Sequence, residues 1–110
     1  MEFDLDQQDQ WTIVRPQGPR IDAAAAPALK GVVVDLANQG RFHVAIDLSR
    51  IDFVDSSGLG ALINAHKTLE AKGRLVLCAV PAKVLSLLKL TRLDRVFRIA
   101  ADAASARTLA

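Results

Sequence analysis

Strand-like and helix-like segments alternate along most of this chain, and the alternation limits the folds open to it. Largely apolar, strand-like runs begin at Trp11, His43 and Arg74. Between these runs, apolar residues recur at the three- and four-residue spacing of a helix with one buried face. Strands joined by connections of helical length pair in parallel, so the sequence predicts an α/β fold with a mostly parallel central sheet.

The segments can be placed in order along the chain. Phe3 and Leu5 alternate with acids and predict an edge strand, which forms a hairpin with the strand Trp11–Arg15. Pro27 fits the first turn of the helix that follows, where its missing N–H group does no harm. The other predicted strands are His43–Leu48, Arg74–Val80 and Val96–Ile99, and the predicted helices are Ala23–Asn38, a segment that follows Ser57 and ends at Lys72, a segment that Pro81 opens, and Asp102–Ala110.

Length and hydropathy indicate one domain without a membrane segment. A chain of 110 residues is long enough for one hydrophobic core and not for two, so residues 1–110 are expected to form a single domain. No apolar run approaches the roughly 18 residues that cross a bilayer, and no membrane insertion is expected. The acidic, alternating start does not resemble a secretion signal, which predicts a cytoplasmic protein. Cys78 lies alone in an apolar run and is expected to be a buried thiol.

The formal charge of +2 is unevenly distributed. Residues 1–10 carry four acids and no base, whereas residues 67–98 carry eight bases and two acids. Such asymmetry can indicate binding to nucleic acid. The bases are dispersed, however, and the few aromatic residues lie mostly in apolar runs, so no basic stripe with stacking platforms is formed. A nucleic-acid partner is therefore not expected.

The candidate functional segment is Asp55–Gly60, with the sequence DSSGLG. It lies at the junction between a strand-like run and a helix. Backbone N–H groups in the first turn of a helix lack intrahelical partners, and the helix dipole is positive there. A serine at this position can therefore cap the helix or carry a phosphate. Each glycine within a helix costs up to about 1 kcal/mol against alanine, so two of them indicate that something comes close to this helix start.

This motif resembles the signature of STAS-domain anti-sigma factor antagonists, the small phosphorylatable proteins of bacterial partner-switching systems. The resemblance includes Ile51–Val54 before the motif and extends over nearly the whole chain. It implies the STAS fold, a central sheet with about four α-helices packed mainly on one face. It also implies a protein that binds an anti-sigma factor/serine kinase when unphosphorylated, is released by phosphorylation, and is reset by a PP2C-type phosphatase.

The resemblance assigns roles to particular residues. The family's phosphate acceptor is the serine directly after the aspartate, which matches Ser56; Ser57 matches its neighbour, expected to cap the helix, and which of the two is the acceptor stays open. Asp55 is a candidate for orienting the Ser56 hydroxyl or for binding the kinase, with a hydrogen bond to the first turn as the alternative role. Asp22 matches a family aspartate near the phosphorylation loop, with a plain turn or cap role as the alternative. The candidate partner-binding residues are Asp22, Asp55, Ser56, Ser57, Gly58, Leu59 and Gly60.

The sequence departs from the family pattern ahead of the first helix. Pro19 stands where the family has a glycine, with Gly18 displaced by one position, and Ala25 stands where a capping serine or threonine is expected. The loss of such a cap costs about 1 kcal/mol, which affects the local turn more than the fold. Of two further polar residues, Asp47 is expected to be structural and His66 to be a packed histidine.

No motif for catalysis, a metal or a cofactor accompanies the serines. Residues 58–60 lack the third glycine of the dinucleotide fingerprint, and neither histidine accompanies a nucleophile signature such as Gly-x-Ser-x-Gly. His43 has no acidic or cysteine companion at metal-ligand spacing. The protein is therefore not expected to be an enzyme, and the resemblance implies that it is a substrate and ligand of a kinase. The alternative function is a STAS protein that docks on a lipid-transport ATPase or another signalling assembly.

Overall fold

The computed structural model describes residues 1–106, and the structural statements below refer to these residues. A short 3₁₀ turn, Leu93–Arg95, accompanies eleven strands and helices. In chain order these elements are β1 (Phe3–Gln8), β2 (Trp11–Pro16), β3 (Arg20–Ile21), α1 (Ala26–Asn38), β4 (His43–Asp47), β5 (Phe53–Val54), α2 (Ser56–Glu70), β6 (Arg74–Cys78), α3 (Ala82–Leu90), β7 (Arg98–Ala100) and α4 (Ala103–Ala106).

Five strands form the main sheet, in the order β1-β2-β4-β6-β7. β1 runs antiparallel to β2, and the other neighbours run parallel, with Val14 opposite Ile46 and Ile46 opposite Leu77. Each parallel pair is joined through a helix, because a parallel connection must bring the chain back to the end at which the first strand began. The predicted α/β fold, with a mostly parallel sheet and a hairpin strand at its edge, is confirmed.

The three longer helices cover one face of the main sheet, and α4 packs on the other face. On the first face, Leu29, Leu62 and Leu88 pack against alternate strand residues. On the second face, Ala106 packs in a smaller cluster with Trp11. Helices therefore lie mainly on one face, as predicted. The residues of β2, β4 and β6 that belong to these clusters are Val14, Val44, Ile46, Leu75 and Leu77 on the first face and Trp11, Ile13, Ala45, Val76 and Cys78 on the second.

Cys78 and Asp47 have the structural roles that the sequence predicts. The Cys78 side chain is fully buried, and burial, with a smaller contribution from the Asp47 carboxylate, raises the pKa of its thiol to about 12. Asp47 Oδ2 lies 3.3 Å from Arg15 Nε, and Asp47 Oδ1 accepts a hydrogen bond of 2.9 Å from the Ser49 N–H group. Asp47 therefore ties β4 to β2 and to the turn that follows.

Helix α1 begins at Ala26, three residues later than the sequence predicts. Residues 23–25 form a turn instead, because Asp22 Oδ1 accepts hydrogen bonds from the N–H groups of Ala24 (3.1 Å) and Ala25 (3.2 Å). Ala25 precedes the helix without a side-chain cap. Asp22 therefore stabilises this turn with its side chain. It lies three residues before Ala25, the position at which a capping serine or threonine is expected.

The sequence does not predict the parallel ladder between β3 and β5, which forms a separate two-stranded sheet. Ile21 lies opposite Val54 in this ladder, and the Pro19 carbonyl accepts a hydrogen bond of 2.8 Å from the Asp52 N–H group. Pro19 is compatible with this pairing because proline lacks only the N–H donor and keeps its carbonyl acceptor. Strands of two residues are too short to show the alternation by which strands are predicted.

The last elements differ from the prediction mainly at their ends. β7 covers Arg98–Ala100 rather than Val96–Ile99, because the N–H groups of Val96 and Phe97 donate hydrogen bonds to the Leu93 carbonyl in the turn before the strand. Asp102 Oδ1 accepts a hydrogen bond of 2.8 Å from the Ser105 N–H group, so Asp102 caps α4 as predicted. The predicted extension of this helix over residues 107–110 lies outside the described residues. Across residues 1–106, every helix is too short or too polar to cross a bilayer.

Candidate functional site

The serine motif lies where β3 and β5 end side by side. The Asp55 N–H group donates a hydrogen bond of 3.3 Å to the Ile21 carbonyl, which extends the pairing one residue beyond β5. Asp22 and Asp55 directly follow the paired residues Ile21 and Val54. The fold therefore places Asp22 next to the serine motif, although 33 residues separate it from Asp55 in the sequence.

Asp55, and not Ser57, caps helix α2. Asp55 has an extended backbone, with φ −96° and ψ −174°, and its Oδ1 accepts a hydrogen bond of 2.9 Å from the Gly58 N–H group. Ser57 is exposed, and its hydroxyl has no hydrogen-bond partner among residues 1–106. The expectation that Ser57 caps the helix is therefore wrong. Aspartate and serine cap equally well, and the structure shows that the residue with the extended backbone takes this role.

Loss of the Asp55 cap is expected to weaken the fold measurably. We expect Asp55→Ala to lower the free energy of unfolding by about 1 kcal/mol, because the Gly58 N–H group loses its acceptor and the helix start loses a negative charge. Ser57→Ala is the matched control and should change it by less than about 0.5 kcal/mol. Urea denaturation of both variants measures the difference. A larger loss for Ser57→Ala than for Asp55→Ala would contradict this assignment of the cap.

Ser56 is the first residue of α2, and its side chain is exposed. Neither its hydroxyl nor that of Ser57 is hydrogen-bonded within residues 1–106. The backbone N–H groups of both serines likewise have no partner there, because Asp55 takes only the N–H groups of Gly58 and Leu59. Both hydroxyls are therefore accessible, and two free N–H groups lie at the positive end of the helix dipole.

The two glycines of the motif have different surroundings. Gly58 is buried, and a Cβ atom there would lie 2.1 Å from the Ile21 carbonyl oxygen and 2.8 Å from Val54 Cγ1. The close neighbour at Gly58 within this chain is therefore the backbone of β3. Gly60 is exposed, and a Cβ atom there would have open space around it. Leu59 is half-buried and packs against the main core.

Arg20 and Phe53 extend the site in a way that the sequence does not predict. The Arg20 guanidinium carbon lies 4.4 Å from the centre of the Phe53 ring, and Arg20 Nε lies 3.5 Å from Asp22 Oδ2. The Phe53 side chain is 41% exposed. The ladder between β3 and β5 places these residues opposite each other, so only a prediction of that ladder would have brought them together.

An apolar groove of about 360 Å³ continues from Phe53 to helix α3. Leu87 lines it, and Leu90, which is 83% exposed, lies at its end. Apolar side chains surrounded by polar ones occur at the centre of many protein interfaces, so this groove is a candidate contact surface. Val54, which directly precedes the serine motif, also lines this groove, so the groove begins beside the motif in the sequence.

His66 is packed, as the sequence predicts. Its ring meets the Phe97 ring edge-on, with 5.9 Å between the ring centres, and its Nε2 lies 3.0 Å from Glu70 Oε2. No group of three or more histidine, cysteine, aspartate or glutamate side chains in residues 1–106 is arranged to hold a metal ion.

Known proteins of one family resemble this chain. A family model described as the STAS domain matches residues 2–106. The chain is 30% identical to the anti-sigma-B factor antagonist of Listeria monocytogenes over 80 residues, which cover 72% of this chain and 70% of that protein. A crystal structure of an anti-sigma factor antagonist from Mycobacterium paratuberculosis is 25% identical, with a TM-score of 0.87 over 98% of this chain and 92% of that one. The phosphorylated form of the Bacillus protein SpoIIAA, 20% identical, shares the fold, with a TM-score of 0.73 over 99% of this chain and 100% of that one.

Proposed function

Because this chain belongs to the STAS domain family of anti-sigma factor antagonists, we propose that it acts by partner switching in the cytoplasm. The unphosphorylated protein binds an anti-sigma factor that is also a serine kinase. The Ser56 Oγ atom attacks the γ-phosphorus of ATP on that kinase, ADP leaves, and a base of the kinase takes the hydroxyl proton. The complex then separates, and a PP2C-type phosphatase hydrolyses the phosphoserine. In this cycle the protein is substrate and ligand, and the kinase is the catalyst.

The position of Ser56 is the observation that carries this proposal. Its hydroxyl is exposed at the first residue of α2, so a kinase can reach it without unfolding the chain. A phosphate there would add about 1.5 to 2 negative charges near the free N–H groups of Ser56 and Ser57, which favour an anion. The fold should therefore survive phosphorylation. SpoIIAA, a protein of the same fold, has been solved in its phosphorylated form.

The surroundings of Ser56 support a protein partner. Phe53 exposes a large apolar side chain two residues before the motif and lines one groove with the exposed Leu90, and Gly60 leaves space on the outer face of α2. Apolar and aromatic side chains of this kind form the centre of typical protein interfaces, surrounded by polar residues. Arg20, Asp22 and Asp55 provide such a polar rim. We propose that the partner covers this combined surface, with the exposed serines inside the interface.

Release by ATP tests the proposed function directly. Wild-type protein is immobilised, incubated with an extract of its own cells, washed, and then treated with Mg-ATP. The expected result is that a kinase is retained and then released, with one phosphate on Ser56 in peptide mass mapping. Ser56→Ala should retain the kinase after ATP is added, and Ser57→Ala should behave as wild type.

Three outcomes would contradict the proposal. Phosphate on Ser57 would show that the acceptor is misassigned, and release of the Ser56→Ala complex by ATP would show that phosphorylation of this residue is not the switch. Recovery of a transport ATPase without any phosphate on the bait would favour the alternative function, docking on a membrane transporter.

A further inference from the structure

A cavity of about 290 Å³ lies at the end of α2 that is opposite Ser56. Its walls come from the last turns of α2, the start of β6 and the segment that leads into β7. Ten residues separate Ser56 from His66, the nearest lining residue of α2, which corresponds to about 15 Å along the helix axis. The cavity is therefore separate from the proposed switching surface.

Two arginines and one glutamate give the cavity its charge. Arg74 and Arg98 line it from the neighbouring strands β6 and β7, and Glu70 lines it from α2. Glu70 Oε2 lies 3.0 Å from His66 Nε2, so its carboxylate is held by the histidine. The two guanidinium groups are always charged, which leaves an excess of positive charge around the cavity.

Arg74 is the residue that most needs an explanation. It is half-buried at the start of β6, yet its guanidinium forms no hydrogen bond or ion pair with any residue from 1 to 106. Partial removal of a charge from water is unfavourable unless a counter-charge or hydrogen-bond acceptors replace the water. The five N–H donors of this guanidinium therefore remain available to a molecule in the cavity.

His66 provides a second, independent observation. Its Nδ1 atom is buried without a hydrogen-bond partner among the described residues, and its ring is fixed edge-on against Phe97. A buried polar atom without a partner destabilises a fold, and native proteins keep few of them. Packing alone does not require a histidine here, since an apolar ring could contact Phe97. The contact with Glu70 does require a histidine. Through this contact, His66 engages the one carboxylate among the described residues that line the cavity.

We propose that this cavity binds a small oxyanion, a carboxylate or phosphate group held by the Arg74 guanidinium, with Arg98 adding positive charge to the same wall. A guanidinium matches two oxygens of such a group with two parallel hydrogen bonds. The volume is about ten times the roughly 30 Å³ that a water molecule occupies in the liquid, which suits a small ligand. The proposal does not depend on Ser56 or on the partner kinase.

Nuclear magnetic resonance titration of the full chain tests the proposal. Inorganic phosphate and acetate are the two probes, each added at constant ionic strength with chloride as the balancing anion. We expect saturable shifts at the amides of Gly73, Leu75 and Val96 and at the Arg74 Nε–H group. The stronger of the two probes identifies the preferred oxyanion. Ser56→Ala should bind phosphate and acetate in this cavity with the same affinity as the wild type.

Two arginine variants with the same change in charge serve as the comparison. Arg74→Gln should weaken binding by about tenfold or more, because it removes the charge and the paired donors. Arg50→Gln removes an exposed arginine elsewhere on the surface and should leave the affinity unchanged. Non-saturable shifts spread over the whole surface of the wild-type protein would overturn the proposal, and so would equal affinities of the two variants. The wild-type titration decides the matter even if Arg74→Gln does not fold.

Discussion

Gly58→Ala is expected to destabilise the protein by about 3 kcal/mol, the upper part of the usual range for adding a methyl group to a packed site. The added Cβ atom would lie 2.1 Å from the Ile21 carbonyl oxygen and 2.8 Å from Val54 Cγ1. The carbonyl belongs to the backbone of β3 and accepts a hydrogen bond from Asp55, so it cannot move aside without breaking the ladder. Helix α2 would therefore have to shift away from the β3–β5 sheet.

Gly60→Ala is the matched control, two residues further along the same helix. Apart from the adjacent residues and the backbone of its own helix, no atom lies within 4 Å of the Cβ position there, so alanine adds helix propensity without a clash. We expect the free energy of unfolding to rise by up to about 1 kcal/mol. Urea denaturation of the two variants measures the contrast. Similar stabilities for Gly58→Ala and wild type would contradict the packing role of Gly58.

The main sheet could be predicted from the sequence because each of its long strands carries its own pattern. Val44, Ile46 and Leu48 alternate within one strand-like run, and α2 presents an apolar stripe long enough to define its buried face. Patterns of this length determine the secondary structure even where tertiary contacts favour another conformation locally. The order of strands and helices then follows from the way parallel strands must be connected.

The site itself could be predicted only in part, because its geometry depends on contacts between distant segments. DSSGLG marks a helix start in the sequence, but whether aspartate or serine caps it depends on backbone angles that either residue can adopt. Position 58 must be glycine because the Ile21 carbonyl leaves no room for a Cβ atom. Arg20 stacks on Phe53 across the same ladder. Each strand of this ladder has only two residues, so neither carries a pattern of its own. The sequence therefore indicates where the site is, but not which atoms meet there.

Phosphorylation of Ser56 is expected to weaken partner binding by about a hundredfold while the fold keeps its stability. In the free protein, the phosphate lies in water beside the N–H groups at the start of α2, which stabilise an anion. In the complex, the same dianion would be enclosed by the partner, and loss of its hydration can cost several kcal/mol. A cost of about 2.7 kcal/mol corresponds to a hundredfold change in affinity.

Charge variants separate this effect from damage to the fold. Ser56→Asp adds one negative charge rather than two, so we expect about a tenfold loss of affinity for the kinase that ATP releases, measured by calorimetry. Ser56→Asn introduces a side chain of the same size as aspartate without the charge and should bind within about threefold of wild type, because a neutral amide costs much less to desolvate than a carboxylate. Thermal midpoints of both variants should match that of wild type within about 2 °C, since exposed substitutions change stability little. Equal affinities for the aspartate and asparagine variants would mean that negative charge at the start of α2 does not control the interface, and that shape alone governs docking there.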